Sequence, residues 1–145
     1  PTPGNGVIVD STTYGMAYGV TRSKLRQSQG VPGHGWPLPI SDALWEYGYL
    51  DGGGKHREYG GKHLGVFRNT ILPCESGGEL DPHLAHNRGS GDHGRAQVNR
   101  YWWRVDFENA FGVDFDTWIY DPVLNGAQAA RIENIQGLTA WVCYR

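Results

Sequence analysis

Residues 74–103 read CESGGELDPHLAHNRGSGDHGRAQVNRYWW, and they hold two carboxyl groups in contrasting surroundings. Glu75 follows an apolar segment that contains Phe67 and Ile71, whereas Asp92 lies among glycines and polar residues. Apolar surroundings favour the neutral form of a carboxyl group, and polar, hydrated surroundings favour the ionised form. We therefore expect Glu75 to hold its proton near neutral pH and Asp92 to be charged.

Two carboxyl groups that differ in this way satisfy the chemical demands of glycosidic-bond cleavage. One carboxylic acid protonates the departing oxygen, and one carboxylate faces the positive charge that develops on the sugar ring. The pattern thus predicts Glu75 as the general acid and Asp92 as the second carboxylate. The alternatives are an ordinary surface role for Glu75 and, for Asp92, a turn position bonded to backbone amides.

Two separate stretches strengthen the catalytic hypothesis. Residues 89–103 fit the pattern G-S-x-D-x-G-x-x-Q-[IV]-N-x-x-W-W, and residues 137–142 read GLTAWV. Together they resemble the chicken-type lysozymes and, through them, the lysozyme-like superfamily that includes goose-type lysozymes and lytic transglycosylases. The resemblance covers residues 61–145, a little over half of the chain.

The sequence departs from that family at a few places. His93 stands where an aromatic residue usually follows the hairpin aspartate, and Arg95-Ala96 replaces an apolar pair. Most of the family's cysteines are absent. These differences bear on the choice of sugar more than on the class of reaction.

The resemblance implies a peptidoglycan-cleaving glycoside hydrolase, a muramidase that acts on β-1,4 links between N-acetylmuramic acid and N-acetylglucosamine. It implies that Glu75 is the general acid and then the base, and that Asp92 is the nucleophile or electrostatic stabiliser. Peptidoglycan glycan strands or N-acetylglucosamine oligomers are the expected partners, with no cofactor. The expected substrate-binding residues are Asn87, Gln97, Asn99, Trp102, Trp103 and Trp141, of which Trp141 is also the apolar wall over Glu75.

Gln97 and Asn99 are two positions apart in a segment expected to be extended, so their side chains should point the same way. Both side chains can bind N-acetyl groups and sugar hydroxyls. Ordinary hydrogen bonding within the hairpin is an equally good interpretation for Gln97.

The sequence also allows two other functions and suggests one kind of metal site. A lytic transglycosylase would use Glu75 alone and release anhydro-muramyl products, and a non-catalytic sugar-binding or structural protein would keep only the fold. A zinc site is suggested by a cluster of histidines and aspartates, but its spacing matches no ligand pattern, so we predict no metal. The cluster comprises Asp81, His83, His86, Asp92 and His93.

Cys74 and Cys143 are the two cysteines of the chain, and each lies in or beside a stretch that carries the resemblance. If Glu75 and Trp141 meet, as the resemblance implies, then their cysteine neighbours meet as well. This favours a disulfide over two buried thiols. Disulfides are typical of oxidising compartments, so we expect an extracellular or secreted protein, with the periplasm or a phage virion as alternatives.

The size and charge of the chain exclude several classes of protein. Its 145 residues suit one catalytic domain with a sizeable core. A net charge of -2 argues against nucleic-acid binding. No apolar run reaches the roughly 20 residues that a membrane-spanning helix needs, and no signal-peptide pattern is present. We expect a monomer.

The predicted organisation is a Gly-, Pro- and aromatic-rich arm at residues 1–60, packed on a catalytic domain at residues 61–145. The whole is predicted to be α+β with a lysozyme-like fold, mostly helical, with a small antiparallel β-hairpin sheet forming one wall of a cleft. Predicted helices span 21–29, 41–47, 62–75, 101–111 and 122–136. The second is expected to end before Gly48, and Pro73 is expected to disturb the last turn of the third. A hairpin is predicted at 83–97, and a short closing helix, capped by Thr139, is predicted to bear Trp141.

Overall fold

The computed structural model describes residues 38–76, 86–87, 89 and 91–145. Within these ranges the protein is α+β, since helices predominate and one small antiparallel sheet accompanies them. Most of the predicted N-terminal arm, including the helix predicted at residues 21–29, lies outside the described residues.

The elements follow one another along the chain as α1 (Leu38–Asp51), α2 (a continuous run of Leu64–Val66, a π-helical turn at Phe67–Ile71, and Leu72–Glu75), β1 (His86–Asn87), β2 (Asp92–His93), β3 (Val98–Asn99), α3 (Arg100–Phe111), α4 (Phe115–Trp118) and α5 (Pro122–Gln136). Short 3-10 turns occur at Gly52–Gly54, Arg57–Tyr59, Leu138–Ala140 and Val142–Tyr144. No helix in the described part of the chain is long and apolar enough to cross a membrane.

Helix α1 continues through Gly48, so the predicted end of this helix was wrong. The glycine is needed for close packing against α5. A β-carbon at Gly48 would lie 1.9 Å from the carbonyl oxygen of Val123, and one at Gly126 would lie 2.2 Å from that of Trp45. Such distances are shorter than any non-bonded contact, so the two glycines let the backbones of α1 and α5 touch.

Helix α5 begins and ends where the sequence predicts. The Asp121 side chain accepts a hydrogen bond from the N–H of Leu124 at 3.1 Å, and Gly137 follows the last turn with φ +77°. The helical spacing of Val123, Leu124, Ala127, Ala130 and Ile135 predicts a buried stripe. This prediction is only partly right, because α5 is buried on every side at residues 122–130 whereas Ile135 is 62% exposed. Helix α5 is therefore the centre of the fold rather than an amphipathic surface helix.

Asn125 is a buried polar residue of α5 that joins three parts of the molecule. Its Oδ1 accepts hydrogen bonds from the indole N–H of Trp45 at 2.9 Å and from the N–H of Ala96 at 3.0 Å. Its Nδ2 donates to the carbonyl oxygen of Ile119 at 3.0 Å. A buried amide with partners on both its oxygen and its nitrogen fixes the position of the hairpin relative to α1 and α5.

Helix α2 carries Glu75 at its C-terminal end, and it contains an irregularity. Phe67 and Ile71 are fully buried, as their spacing predicts. The backbone widens into a π-helical turn at Phe67–Ile71, just before Pro73. Proline has no N–H to donate, and its ring clashes with the carbonyl four residues earlier, so a wider turn accommodates it. The disturbance expected in the last turn therefore lies one turn earlier.

The start of α2 is held by the buried carboxylate of Glu133. This carboxylate accepts hydrogen bonds from the Tyr49 hydroxyl at 2.9 Å and from the Lys62 N–H at 3.1 Å, and it lies 2.9 Å from Nδ1 of His63. The Tyr49 hydroxyl also accepts a hydrogen bond from the His63 N–H at 2.7 Å. Burial is the main reason that the pKa of Tyr49 lies above its ordinary value. These contacts fix where α2 enters the core.

Aromatic side chains link α1, α2 and the C-terminal turns in one core. Phe67 packs against Trp45, Tyr49 and Trp141, with ring centroids 5.5, 4.9 and 4.8 Å apart. Trp45 and Tyr49 belong to the segment predicted as an arm, so residues 38–60 share the core of the residues that follow.

The three strands form an antiparallel sheet in the order β1-β2-β3, which confirms the predicted small sheet. Asp92 lies opposite Asn87 on one side and Asn99 on the other. His93 faces inward, where its Nδ1 lies 2.6 Å from the Tyr120 hydroxyl. Because side chains alternate along a strand, burial of His93 directs Asp92 to the opposite face.

Candidate active site

A cavity of about 390 Å³ lies between the end of α2, strands β2 and β3, the first turn of α3 and the C-terminal turns. The sheet forms part of its wall through Asp92 and Asn99. The fold therefore brings together residues that are up to 70 positions apart in the sequence, from Glu75 to Arg145. The predicted site residues that line the cavity are Glu75, Asp92, Gln97, Asn99, Trp102, Trp103 and Trp141.

Glu75 is the last residue of α2, and it is partly buried. Burial raises the pKa of its carboxyl group, and the negative charge of Asp92 raises it further. The backbone N–H of Cys143 donates a hydrogen bond to Oε1 at 3.2 Å, which acts in the opposite direction because it stabilises the carboxylate. Burial outweighs this hydrogen bond, so Glu75 keeps its proton to a higher pH than an exposed glutamate does.

Trp141 lines the same cavity as Glu75 and is 4% exposed. Its indole N–H donates to the carbonyl oxygen of Ala96 at 2.8 Å, and its ring meets Phe67 at an interplanar angle of 85°. Trp141 thus joins the hairpin to α2. The closing helix predicted around it was wrong, since Trp141 is extended between two short 3-10 turns.

The disulfide between Cys74 and Cys143 is present, which confirms the prediction. It joins the residue before Glu75 to the second residue after Trp141, with 5.9 Å between the Cα atoms. Since α2 and the C-terminal turns are far apart in sequence, the bond ties the end of α2 to the C-terminal segment that carries Trp141.

Asp92 is oriented by Asn99, its neighbour across β2 and β3. The Asn99 Nδ2 donates to Oδ1 of Asp92 at 3.0 Å, and the Asn99 Oδ1 accepts from the N–H of Trp102 at 3.2 Å. Asn99 is therefore also the N-cap of α3. One side chain holds the second carboxylate and fixes the start of the helix that carries the two tryptophans.

Gln97 departs from the extended conformation expected for it. Its φ is +51°, in the left-handed region, and β3 spans only Val98–Asn99. A turn joins β2 to β3 here, in which the N–H and the Nε2 of Gln97 both donate to the carbonyl oxygen of Gly94, at 3.0 and 2.9 Å. Gln97 still lines the cavity, but it does not alternate with Asn99 along one strand.

Trp102 and Trp103 border the cavity from the first turn of α3. Trp102 is 72% exposed, whereas Trp103 is partly buried against the core. An exposed tryptophan beside a cavity supplies apolar surface that a ligand can cover. Tyr101, 84% exposed, meets the Trp102 ring edge-on with centroids 5.0 Å apart and extends this surface outward.

Asn87 lies directly opposite Asp92 in the sheet, so the backbone places it beside the second carboxylate. Gln136 and Arg145 also line the cavity, although nothing in the sequence marks them as site residues. Neither belongs to a stretch whose pattern points to chemistry. Proximity in the folded chain is the only signal that identifies them.

Among the described residues, no three histidine, cysteine, aspartate or glutamate side chains are grouped to hold a metal ion. His93, part of the zinc hypothesis, packs against Tyr120 and Phe115 in the core. Asp81 and His83 lie outside the described residues.

No protein-family model, curated protein or solved structure matches the chain. The function is therefore argued from the side chains that line the cavity and from their electrostatics.

Proposed function

We propose that this protein is a muramidase, a glycoside hydrolase that cleaves the β-1,4 links between N-acetylmuramic acid and N-acetylglucosamine in peptidoglycan. One observation carries the proposal: Glu75, with its raised pKa, shares a cavity with Asp92, and tryptophans border that cavity. A neutral acid and a second carboxylate in one sugar-sized recess are the components that glycosidic hydrolysis needs.

In the first step, Glu75 transfers its proton to the glycosidic oxygen as the bond to the anomeric carbon breaks. The departing sugar leaves as a neutral alcohol, and positive charge develops on the remaining ring. Asp92 faces this charge and either stabilises it or forms a covalent bond to the anomeric carbon. The hydrogen bond from Asn99 supports this role because it keeps the Asp92 carboxylate in one orientation.

In the second step, Glu75 is a carboxylate and acts as the base. It removes a proton from a water molecule whose oxygen attacks the anomeric carbon. Where Asp92 is bonded to that carbon, this bond breaks and Asp92 leaves as a carboxylate, and the product carries the new hydroxyl group. Glu75 regains its proton, so the cycle closes without a cofactor. The Cys143 N–H, which donates to Glu75 Oε1, stabilises the carboxylate form that this step requires.

Substrate binding is assigned to the aromatic and amide side chains of the cavity. Pyranose rings have apolar faces that cover aromatic surface, and Trp102 and Trp103 supply such surface at the rim. Gln97 and Asn99 provide amide groups that can meet N-acetyl and hydroxyl groups. The volume, about 390 Å³, lies in the range of small-ligand sites.

The same observations bear on where the protein works. A disulfide persists in oxidising surroundings, so the Cys74–Cys143 bond supports a location outside the cytoplasm, where peptidoglycan is accessible.

Digestion of purified peptidoglycan, with the products identified by mass spectrometry, tests the proposal. We expect muropeptides with reducing N-acetylmuramic acid ends, and none from a Glu75→Gln control. Anhydro-muramyl ends would instead identify a lytic transglycosylase. Binding to peptidoglycan without cleavage under any condition would identify a sugar-binding protein and contradict the proposal.

A further inference from the structure

The disulfide and the catalytic acid meet at one point of the structure. Cys74 directly precedes Glu75, and its disulfide partner Cys143 supplies the N–H that donates to Glu75 Oε1 at 3.2 Å. The segment that carries this N–H is therefore attached to the end of α2 twice, once through sulfur and once through the carboxyl group.

Trp141 anchors the start of this segment, because its ring packs against Phe67 and its indole N–H donates to the carbonyl oxygen of Ala96. Beyond Trp141, the long-range bonds described for the segment are the disulfide and the hydrogen bond of the Cys143 N–H. The backbone hydrogen bonds of residues 141–145 in the described chain are local: Trp141 donates to Leu138, Tyr144 to Trp141, and Arg145 to Val142. The Val142 and Tyr144 side chains are 71% and 44% exposed, so neither is packed in the core. The disulfide therefore adds a covalent restraint on the distance from the Cys143 N–H to the carboxyl group, beyond the packing of Trp141 two residues earlier.

We propose that the Cys74–Cys143 disulfide is a positioning element for Glu75, because it keeps the Cys143 N–H within hydrogen-bonding distance of the carboxyl group. The inference rests on the proposed role of Glu75 and adds to it. Burial alone favours the neutral acid, which serves the first step and opposes the second. A fixed N–H donor restores part of the stability of the carboxylate, so that one residue can act as acid and then as base.

The disulfide is also within reach of reductants, since Cys74 is exposed and Cys143 is partly exposed. Dithiothreitol would reduce it to two thiols with two electrons and two protons, and would itself become the cyclic disulfide. Reduction then releases the Cys143 segment from α2 without changing any residue. The effect on Glu75 can therefore be reversed by reoxidation.

Two perturbations test this inference: the double variant Cys74→Ser/Cys143→Ser and wild-type protein reduced with dithiothreitol. The direct readout is the NMR titration of the Glu75 side-chain carboxyl carbon, which does not require activity. We expect the pKa of Glu75 to rise further in both samples, because the donor that favours the carboxylate is lost. The alkaline limb of kcat/KM should move to higher pH, and kcat should fall roughly tenfold, the equivalent of one hydrogen bond.

Ser76→Ala is the matched control. The Ser76 hydroxyl donates to the carbonyl oxygen of Leu72 at 2.9 Å, so this change perturbs the same helix end and leaves the disulfide and its N–H in place. Glu75 should titrate in this variant as it does in the wild type.

An unchanged Glu75 titration in a folded, disulfide-free sample would overturn the inference. So would unfolding of both the double variant and the reduced wild type at 25 °C, since the disulfide would then be a requirement for folding rather than a positioning element. Failure of the wild type to cleave peptidoglycan would contradict the proposed function instead, and would leave the titration result standing.

Discussion

The two sides of the cavity hold their carboxyl groups in different ways. On the α2 side, Glu75 shares the cavity with Trp141 and directly follows a disulfide-bonded cysteine, and the polar contact described for its carboxyl group is one backbone N–H. On the sheet side, Asp92 is held by an amide side chain that is itself fixed as a helix cap. The comparison shows two carboxyl groups in different surroundings: Glu75 is partly buried, which raises its pKa, whereas Asp92 accepts a hydrogen bond from an amide side chain.

The two sides also differ in what anchors them. The acid side depends on a covalent bond and on aromatic packing between Phe67 and Trp141. The sheet side depends on side-chain hydrogen bonds. Asn125 accepts one from the N–H of Ala96, and Asn99 donates one to Asp92. Changes to the anchors of the first side should therefore alter the proton affinity of Glu75, whereas changes to the anchors of the second should alter the orientation of Asp92.

The largest effect is expected for Glu75→Gln, which removes the transferable proton and keeps the shape of the side chain. Activity on peptidoglycan should fall by about 10²- to 10⁴-fold, the usual contribution of a general acid. Steady-state kinetics measure the loss, and circular dichroism shows whether the fold is kept. Near-normal turnover by a folded variant would remove Glu75 from the mechanism.

The same variant should change stability in a pH-dependent way. The pKa of Glu75 is raised by folding, so its stabilising contribution is present below the unfolded-state pKa and is lost as the pH rises through the folded-state pKa. At pH values above the folded-state pKa, Glu75→Gln should therefore be more thermally stable than the wild type. At pH values below the unfolded-state pKa it should show no such gain. Melting curves at a series of pH values provide the test, and a constant difference would contradict it.

The second largest effect is expected for Asp92→Asn. Loss of the charge that faces the developing cation should lower kcat roughly a hundredfold. It should also lower the pKa of Glu75, because the negative charge of Asp92 raises that pKa. Normal turnover with anhydro-muramyl products would instead favour a mechanism that uses Glu75 alone.

Asn99→Asp tests how Asp92 is held on the sheet side. An aspartate can still cap α3, but it loses the donor to Asp92 and brings a like charge beside it. We expect a loss of kcat of about tenfold at neutral pH with little change in melting temperature. Asn99→Ala, which loses the cap as well, should cost about 1 kcal/mol of stability. Equal activity in Asn99→Asp and the wild type would mean that Asn99 does not position Asp92.

The smallest effect is expected for Trp102→Ala, since this side chain lies at the rim and is 72% exposed. Loss of its stacking surface should raise KM by about three- to tenfold, with kcat and the melting temperature almost unchanged. Phe107→Ala on the same helix is the matched contrast: Phe107 is fully buried, so its loss should cost about 3–5 kcal/mol of stability. An unchanged KM in Trp102→Ala would exclude Trp102 from the substrate contacts.

The parts of the fold that local signals determine were predictable from the sequence. Asp121 and Pro122 mark the start of α5, Gly137 follows its end, and Gly112 ends α3 with φ +71°. Each of these residues acts on its immediate neighbours, through a cap, a fixed φ or a left-handed conformation. The disulfide was also predicted, through the resemblance of the two stretches that contain its cysteines.

The parts that depend on partners distant in sequence were missed. Gly48 suggested a helix end, yet it serves a contact with Val123 that no local pattern reveals. Asn125 and Glu133 look like ordinary polar positions of a helix, but both are buried and hydrogen-bonded to segments more than 25 positions away. Residue type and spacing do not encode such contacts.

The candidate site divides in the same way. Residue types and the resemblance identified seven of the side chains that share the cavity, including Glu75, Asp92 and Trp141, but not Gln136 or Arg145. They did not identify how those side chains are held. The hydrogen bond from Cys143 to Glu75, the double role of Asn99 and the left-handed Gln97 all depend on backbone geometry at the meeting of separate segments.

The pH dependence of kcat/KM for peptidoglycan cleavage by the wild type and by Asp92→Asn tests the central claim most directly. The proposed mechanism requires Glu75 to act as a neutral acid opposite the Asp92 carboxylate. It predicts a wild-type alkaline limb at a pH above the ordinary range of a glutamate, and a limb displaced to lower pH in Asp92→Asn. An alkaline limb at the same pH in both proteins, or no cleavage at any pH, would contradict the account.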